Sequence, residues 1–322
     1  MTAGTAAPPV PQAPAAAPGP PGMQRRTREA LAAYGFLSPW IAGMIVLTIG
    51  PMIYSLYLSF TRYNLMTPAQ WVGVDNYVRM FTADPRYLAS VGVTLRYVAI
   101  SVPLLLVVSL LVAMLLSKAP EKGFGFLSGY RAAFYLPSLI ASSVAIAVLW
   151  RQVFGQDGIV NEVLALVGIE GGSWIGNPGT ALYTLVVLHV WSFGSTMIIF
   201  LAGLRQVPKE YYEAAAVDGA GRVRRFVHIT LPMLTPLIFF NLLLSTVNAF
   251  QAFTPAYVIS GGEGGPLDST LFYTLYLYQR GFANLEMGYA AAMAWTLVVV
   301  LALFTAGLFA SARFWVHYGD EK

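Results

Sequence analysis

The polar side chains inside the chain's longest apolar segments are hydroxyls, amides and one imidazole, with no Asp, Glu, Lys or Arg in the segment interiors. Such groups bind neutral, hydroxyl-rich molecules through hydrogen bonds, and a neighbouring aromatic ring covers the apolar face of a ligand of that kind. The candidate residues for this chemistry are Ser138, Ser142, His189, Ser192, Phe193, Asn248 and Gln251.

The spacing of these residues favours shared helix faces. Asn248 and Gln251 are three residues apart, and Ser138 and Ser142 are four apart. Pro137 directly precedes Ser138 and predicts a kink there. A buried unpaired amide costs roughly 1 to 3 kcal/mol, so these groups need hydrogen-bonding partners. A ligand, another helix and a second membrane subunit are the alternatives, and the sequence leaves all three open.

The other reactive side chains do not form a catalytic constellation. The chain has no cysteine and three histidines, His189, His228 and His317, which fall in separate segments. It has no glycine-rich phosphate loop of the Walker type and no pair of carboxylates inside an apolar segment. We therefore predict a protein that is not an enzyme and that carries no cofactor or metal of its own.

The composition places these side chains in a membrane. The chain of 322 residues is 57% hydrophobic and 11% charged, whereas soluble domains carry about 25% charged residues. A soluble protein of this size needs more polar surface to cover its core. The net charge of +4 is spread over the connecting segments, which is not typical of a nucleic-acid-binding protein.

Six apolar segments are each long enough to cross a bilayer, whose hydrocarbon core takes roughly 20 helical residues. They cover residues of about 32–60, 91–117, 130–153, 179–204, 233–255 and 287–313. The pattern predicts an all-α integral membrane protein with six transmembrane helices, in which residues 24–322 form a single domain. Residues 1–23 are rich in alanine and proline and are predicted to be a disordered cytoplasmic tail.

The basic residues predict the orientation. If the amino terminus is cytoplasmic, thirteen of the 19 lysines and arginines fall in segments on the cytoplasmic side, and the other six fall outside. This asymmetry favours both termini inside the cell. Residues 205–232, which follow the fourth apolar segment, then face the cytoplasm.

The stretch EAAAVDGAGRVRRFVHITLP, residues 213–232, predicts two short helices joined by a bend. Pro208 suits the first turn of the first helix, and Gly219 breaks that helix because glycine readily adopts a positive φ. The second helix, RVRRFVHI, is predicted to end at Leu231-Pro232. The alanines leave a smooth face that another protein can approach closely, and a plain folded connector is the alternative.

Three loops between the apolar segments carry turn or helix signals. WVGVDNYVRMF predicts a glycine turn followed by a short helix. GQDGIVNEVLALVG predicts an amphipathic surface helix, and SGGEGGP predicts a cluster of turns. All three are expected on the outer side of the membrane.

The spacing in residues 213–232 resembles the EAA loop of binding-protein-dependent ABC importer permeases. Its elements are, in order, Glu213-Ala214-Ala215, three residues, Gly219, nine residues, Ile229, one residue and Leu231-Pro232. The family places this loop between the fourth and fifth of six spans. The resemblance extends over residues 30 to 318 or so, and WVGVDNY, FGQDGIVN, SGGEGGP and GYAAAMAW are similar to the carbohydrate-uptake branch, near the maltose-type first membrane subunit. The extra amino-terminal spans of that subunit are absent, and SGGEGGP is longer than the usual turn.

The resemblance implies a type I ABC importer permease fold, in which the helix of the loop docks into a groove on a cytoplasmic ATPase. Glu213 would anchor that helix, and Gly219 would permit its bend. The residues implied to couple the permease to the ATPase are Glu213, Ala214, Ala215, Asp218, Gly219, Ile229, Leu231 and Pro232.

The resemblance also implies partners and a substrate class. The partners are a second permease in a heterodimer, two ABC ATPase subunits that hold ATP and magnesium, and an extracytoplasmic sugar-binding protein. The implied function is sugar import through the bacterial cytoplasmic membrane, and the seven candidate residues resemble positions that contact sugar in the maltose-type subunit. A permease for a solute such as glycerol phosphate is one alternative. A passage whose permeases do not touch the ligand is another, and an uncoupled secondary carrier fits less well because the spans lack charge.

Overall fold

The computed structural model describes residues 23–117, 124–141 and 143–317. These ranges form two compact units, with the boundary between Tyr54 and Ser55. Residues 1–22 of the predicted tail and the candidate residue Ser142 lie outside the described ranges. Within those ranges nearly all regular secondary structure is helical, as the sequence predicts.

The α-helices in chain order are α1 (Met23–Met44), α2 (Gly50–Ser59), α3 (Asp75–Thr82), α4 (Pro85–Ser117), α5 (Phe124–Ile140), α6 (Val144–Val153), α7 (Ile159–Ala165), α8 (Ala181–Trp191), α9 (Gly194–Gln206), α10 (Lys209–Val217), α11 (Arg222–Arg225), α12 (Leu231–Phe250), α13 (Thr254–Ser260), α14 (Tyr273–Tyr278) and α15 (Met287–Trp315). Segments of wider, π-helical winding follow α1, α11 and α14, at Ile45–Ile49, Phe226–Thr230 and Gln279–Ala283. A short 3-10 turn covers Pro266–Asp268. The hairpin strands β1 (Thr61–Arg62) and β2 (Gln70–Trp71) are antiparallel.

The described residues contain four helices that are long and apolar enough to cross a membrane. They cover Ala30–Ser59, Pro85–Ser117, Arg222–Ser260 and Met287–Trp315. Two bent pairs, α5 with α6 at 100° and α8 with α9 at 45°, bring the number to six if each pair is one span. The fold thus holds four to six candidate spans. The kink predicted for the third apolar segment is present, but the bend falls after Ile140, a few residues beyond Pro137.

The π-helical segment Phe226–Thr230 makes α11 continuous with α12. Pro232 has no N–H, so the carbonyl of His228 has no donor four residues ahead of it. The helix widens by one residue instead, and the Leu231 N–H donates to the Phe226 carbonyl, five residues back. The prediction that Leu231-Pro232 ends the second short helix is therefore wrong, because the wider turn carries the helix past the proline.

The core of the second unit is built around α4. Tyr97 and Val102 of α4 form one buried cluster with Leu185 of α8, Tyr276 of α14 and Met293 of α15. A second cluster lies further along α4 and consists of Ala113, Leu116, Met197, Phe200 and Leu201. Helix α4 packs against α8, α9, α12 and α14 and is therefore the central helix of this unit.

The hairpin packs against the start of α15 through backbone contacts. Thr61 pairs with Trp71, and the side-chain amide of Asn76 donates to the Thr61 carbonyl at 2.9 Å. The Gly288 N–H donates to the Tyr63 carbonyl at 3.1 Å. A Cβ on Gly288 would overlap the carbonyl oxygen of Thr61, so the close approach of strand and helix requires glycine.

The hairpin, α3, α13 and α14 lie together at one end of the second unit, called here the α3 end. Strand β1 and α3 contact α15, α14 contacts both α4 and α15, and the Phe253 and Tyr278 rings join α13 to α14 at 5.2 Å. The loop predictions are confirmed at this end: Gly73 turns the chain at φ +60° before α3, and GQDGIVNEVLALVG contains α7. The four glycines of SGGEGGP all have positive φ.

Candidate functional site

The predicted coupling loop forms a largely exposed segment, residues 207–230, called here the α10 segment. Neither α10 nor α11 contains a buried residue. Glu213 and Ala214 are exposed on α10, and the side chains of Val217 and Val223 are 89% and 77% exposed. Covering such exposed apolar side chains with a partner protein is favourable, because it removes apolar surface from water.

Helix α10 ends in a glycine turn of the Schellman type. The Ala220 N–H donates to the Ala215 carbonyl at 2.8 Å, and the Gly219 N–H donates to the Ala216 carbonyl at 3.1 Å. Gly219 has φ +73°, a backbone conformation that favours glycine. The predicted bend at Gly219 is confirmed, and the exposed Asp218 caps the helix immediately before it.

A side-chain hydrogen bond ties α10 to the foot of α12. The hydroxyls of Tyr212 and Thr230 are 2.8 Å apart, and Thr230 is 6% exposed. Sequence reasoning missed this pair, because two hydroxyl residues separated by the whole turn carry no local signal. The bond closes the α10 segment into a loop whose two ends are fixed to each other.

The eight predicted coupling residues fall into two groups. The residues of α10 and its turn, from Glu213 to Gly219, lie on the exposed part of the segment. Ile229, Leu231 and Pro232 are half-buried where the segment joins α12. The first group is therefore accessible to a partner surface, and the second lies where the segment joins α12.

The predicted ligand residues Ser192 and Phe193 lie in the break between α8 and α9. A Cβ on Gly194 would overlap the Phe134 carbonyl oxygen and would stand 2.7 Å from the Tyr135 Cα, so the break touches the backbone of α5. The Phe193 and Phe134 rings are 5.8 Å apart. The break thus brings two candidate residues up to α5, the helix that carries Ser138.

The two hydroxyls near this break keep their acceptor capacity. The Ser138 hydroxyl donates to the Tyr135 carbonyl at 2.6 Å, and the Ser192 hydroxyl donates to the His189 carbonyl at 2.6 Å. Both side chains are half-buried. Since each donor is engaged locally, the lone pairs remain to accept hydrogen bonds from a ligand hydroxyl.

Gly194→Ala should destabilise this junction. The added methyl group meets the backbone of α5, which moves only as part of a helix, so we expect a loss of about 1–3 kcal/mol of folding stability. Gly129→Ala is the matched control, because no atom lies within 4 Å of a Cβ at Gly129 in α5. Thermal inactivation of the purified subunit measures both, and equal midpoints for the two variants would contradict the contact.

The other candidate residues lie apart from the break. One ring nitrogen of His189, Nε2, is enclosed and has no hydrogen-bond partner among the described residues, and its ring meets Tyr97 edge-on at 5.8 Å. Asn248 lies in the last turn of α12, and Gln251 is its cap; both side chains are exposed. No hydrogen bond of the described residues joins them to the α8–α9 break.

The structure also contains a charged cluster that sequence reasoning missed, at the α3 end. Asp84 is 5% exposed and accepts hydrogen bonds from the hydroxyls of Tyr276 and Tyr289 at 2.6 and 2.7 Å. It also accepts from Arg280 at 3.0 Å. Glu286 pairs with the same arginine at 3.2 Å, so the cluster joins α4, α14 and α15.

The cluster keeps Asp84 charged. Burial alone would raise the pKa of this carboxyl, but the hydrogen bonds from Tyr276, Tyr289 and the Tyr87 N–H and the charge of Arg280 together lower it below 3.8. A lowered folded-state pKa stabilises the fold above the ordinary pKa, and this stabilisation is lost as the pH falls through the lowered value. Burial and the hydrogen bond to Asp84 raise the pKa of Tyr276 to about 12.

An open cleft of about 610 Å³ lies beside this cluster. Its polar lining residues are Arg86, Glu263, Asp268, Gln279 and Asn284. Arg86 is engaged by Asp268 at 2.7 Å, and none of the predicted ligand residues lines the cleft. Within the described ranges no three His, Cys, Asp or Glu residues are grouped to hold a metal ion.

Comparison with known proteins identifies relatives over most of the chain. The sequence profile of a family described as "Binding-protein-dependent transport system inner membrane component" matches residues 80–318. The protein named "Probable ABC transporter permease protein YesP" of Bacillus subtilis is 53% identical over 296 residues, which cover 92% of this chain and 94% of that one. The arabinooligosaccharides transport system permease protein AraP of the same species is 34% identical over 274 residues, or 84% and 85% of the two chains. The lactose transport system permease protein LacF of Rhizobium radiobacter is 32% identical over 283 residues, or 86% and 93%.

The fold also matches a solved structure. A chain of a bacterial alginate ABC transporter, determined in complex with an alginate pentasaccharide-bound periplasmic protein, matches this chain with a TM-score of 0.77. The match covers 90% of this chain and 97% of that chain, at 21% sequence identity. At this identity the likeness concerns the fold alone.

Proposed function

The chain belongs to the family of binding-protein-dependent transport system inner membrane components, and on that premise we propose that it forms, with a second permease, the passage of an ATP-driven sugar importer. It is a permease subunit of an ABC transporter and is not an enzyme. The sugar is suggested by the relatives, whose names refer to arabinooligosaccharide and lactose transport. The uncharged polar groups of α5, α8 and α12 suit such a ligand.

The exposed α10 helix and its Gly219 turn carry the proposal. Helix α10 has no buried residue, so its surface is available to a partner, and its base is fixed by the Tyr212–Thr230 hydrogen bond. We assign this helix to the groove of a cytoplasmic ATPase subunit. Two such subunits hold ATP and magnesium, and closure of their dimer pulls on the helix and on α12 behind it.

The coupling role sets the topology. With the α10 segment in the cytoplasm and each bent pair crossing once, six spans result and both termini are cytoplasmic. Three crossings, α4 and the two bent pairs, separate α3 from α10, so the α3 end faces outward. An extracytoplasmic sugar-binding protein then delivers the ligand to the α3 end.

The ligand-contacting residues are proposed at two places. Ser192 and Phe193 form the α8–α9 break, and Ser138 lies on α5, the helix that the break contacts; a hydroxyl-bearing ring can meet lone pairs and an aromatic face there. Asn248 and Gln251 are exposed at the end of α12, with amides free to bind across to a ligand or to the second permease. Ser142 and His189 complete the set by resemblance to the family.

ATP dependence tests the proposed function. The subunit is expected to purify together with its ATPase and second permease, and the complex in liposomes should accumulate a sugar against its gradient when the binding protein and ATP are present. The same liposomes without ATP serve as the control. Accumulation by the permeases alone, with every nucleotide-hydrolysing subunit removed, would overturn the proposal.

Asn248→Ala should change transport without changing assembly. The exposed amide has no partner among the described residues, so its loss leaves the fold intact but removes hydrogen bonds of roughly 0.5–1.5 kcal/mol each to a ligand. We expect the KM for uptake to rise several-fold. Asn241→Ala is the contrast, because Asn241 is 3% exposed and donates to the Leu237 carbonyl at 2.8 Å, so that change should lower thermal stability. Unchanged uptake kinetics in Asn248→Ala would remove this residue from the site.

A further inference from the structure

We propose that Asp84 is a positioning residue for transport: through Arg280 and two tyrosines it fixes the α3 ends of α4, α14 and α15 to one another. Because these helix ends move together, a movement that starts at the α10 segment is passed on to the outer end of the passage. This role presupposes the proposed ATP-driven transport. It assigns a transport task to a residue that touches neither the ligand nor the ATPase.

Asp84 serves two structural purposes at once. As the residue before Pro85, the first residue of α4, it caps that helix by accepting from the Tyr87 N–H at 3.1 Å. Its carboxylate also receives the two tyrosine hydroxyls and the guanidinium described above. The start of the central helix is thereby bonded directly to α15 and to the segment that follows α14.

Arg280 lies in a segment that is wound more widely than an α-helix. The segment Gln279–Ala283 is π-helical, and the Asn284 N–H donates to the Gln279 carbonyl at 2.8 Å, five residues back. Single wide turns of this kind are frequent at functional sites. The Nε of Arg280 donates to the Tyr276 hydroxyl at 2.7 Å, so the arginine is held from both sides.

The cluster extends outward through alternating charges. Glu286 lies between Arg280 and Arg79, with N–O distances of 3.2 and 3.1 Å. The Arg79 guanidinium also lies 4.6 Å from the centre of the Tyr289 ring. Helix α3 is therefore included in the same bonded group, and four helices meet around one buried carboxylate.

A continuous packed path links this group to the coupling helix. Helix α9 leads directly into the α10 segment. The contact between α9 and α4 is the most extensive of all helix–helix contacts in the described ranges. Helix α4 packs in turn on α14. Since α4 runs through the core of the unit, its far end is one place where displacement passes to α14 and α15. The buried charge pair lies at that point.

The Asp84–Arg280 ion pair is more buried than the neighbouring Arg86–Asp268 ion pair. Arg86 and Asp268 also form a two-bond ion pair, at 2.7 and 2.9 Å, but the Arg86 side chain is 46% exposed. Exposed pairs contribute little, whereas removal of one member of a buried pair leaves an uncompensated charge. Asp268→Asn is therefore a matched control for Asp84→Asn, since both remove one carboxylate charge from an Arg–Asp pair at the same end of the unit.

The test measures the solute transported per ATP hydrolysed by the full complex in liposomes. Asp84→Asn is expected to lower this ratio about tenfold, within the range typical of coupling between two sites, while ATP hydrolysis continues. Asp268→Asn should leave the ratio near the wild-type value. An unchanged ratio in Asp84→Asn overturns the proposal, and a wild-type complex that shows no ATP-driven uptake overturns the proposed function instead.

Two more variants keep the test decisive. Asp84→Asn combined with Arg280→Gln removes both charges. If Asp84 acts through Arg280, the double variant should recover part of the solute transported per ATP. If Asp84 acts only as a helix cap, no recovery is expected. If Asp84→Asn does not assemble, Tyr289→Phe removes a single hydrogen bond and leaves the charges paired. A lowered ratio in Tyr289→Phe supports the proposal, and a wild-type ratio overturns it.

A distance measurement reports on the joint without transport. The chain has no cysteine, so Leu88→Cys and Phe282→Cys provide two unique labelling sites, at residues that are 54% and 60% exposed. Spin labels at these positions should give a narrow distance distribution that broadens when Asp84→Asn is added. An equally narrow distribution with Asp84→Asn would contradict the fixing role, whatever the transport assay gives.

Discussion

Replacing Gly219 by aspartate is expected to abolish solute uptake while the subunit still inserts in the membrane. Gly219 has φ +73°, and a residue with a Cβ pays roughly 1–2 kcal/mol in this left-handed conformation. No atom lies within 4 Å of a Cβ built there, so the change does not disturb packing inside the subunit. It instead alters the turn and adds a second carboxylate next to Asp218 on the surface assigned to the ATPase. ATP-dependent uptake in vesicles, with membrane insertion measured separately, checks this result.

Two further variants separate the backbone effect from the charge effect. Gly219→Asn has nearly the same shape without the charge, and asparagine tolerates positive φ better than most residues, so it should retain part of the uptake. Gly221→Ala is the control for the position, because Gly221 has φ −67° and open space around its Cα. It should transport at close to the wild-type rate. Full transport by Gly219→Asp would count against the docking role of the α10 segment.

Gly288→Ala is expected to leave little folded protein. The methyl group would overlap the carbonyl oxygen of Thr61 and stand 3.2 Å from that of Leu58. The Thr61 carbonyl has no freedom to turn away, because Asn76 donates to it from the other side at 2.9 Å. Movement of the helix away from this overlap would also lengthen the hydrogen bond from the Gly288 N–H to the Tyr63 carbonyl. We expect a loss of about 3 kcal/mol, toward the upper end for overpacked sites.

The control for this change lies in the same helix. Gly307 is also within α15, but no atom lies within 4 Å of a Cβ built at this residue. Gly307→Ala should be neutral or slightly stabilising, since alanine is favoured over glycine inside a helix by about 1 kcal/mol. Thermal inactivation midpoints and the yield of monodisperse protein in detergent compare the two. Similar midpoints would mean that the hairpin does not press on α15.

Local chemistry made part of this molecule predictable from the sequence. Glycine is almost obligatory at a left-handed helix end, so Gly219 and the glycines of SGGEGGP marked their turns correctly. Long apolar runs marked the candidate spans for the same reason, because their length and hydropathy are local properties. None of the predicted residues of α10 is buried, and their docking role stays a prediction.

Features that depend on distant contacts were not predictable. Asp84 and Arg280 are 196 residues apart, and nothing near either one indicates the other. The break at Ser192 and Phe193 lies against the backbone of α5, a contact that a hydropathy pattern does not register. Pro232 was misjudged, because it did not end its helix: the wider turn at Phe226–Thr230 accommodated its missing N–H.

The wide turn at Phe226–Thr230 joins α11 and α12 into one long helix that connects the α10 segment to the far end of α12. Because it carries the helix past Pro232, α11 and α12 form one rod of about 40 Å, at the usual rise of 1.5 Å per residue. Arg222 and Arg224 project at one end, and Asn248 lies at the other. A movement of this helix at the arginines would therefore also displace the asparagine at its other end.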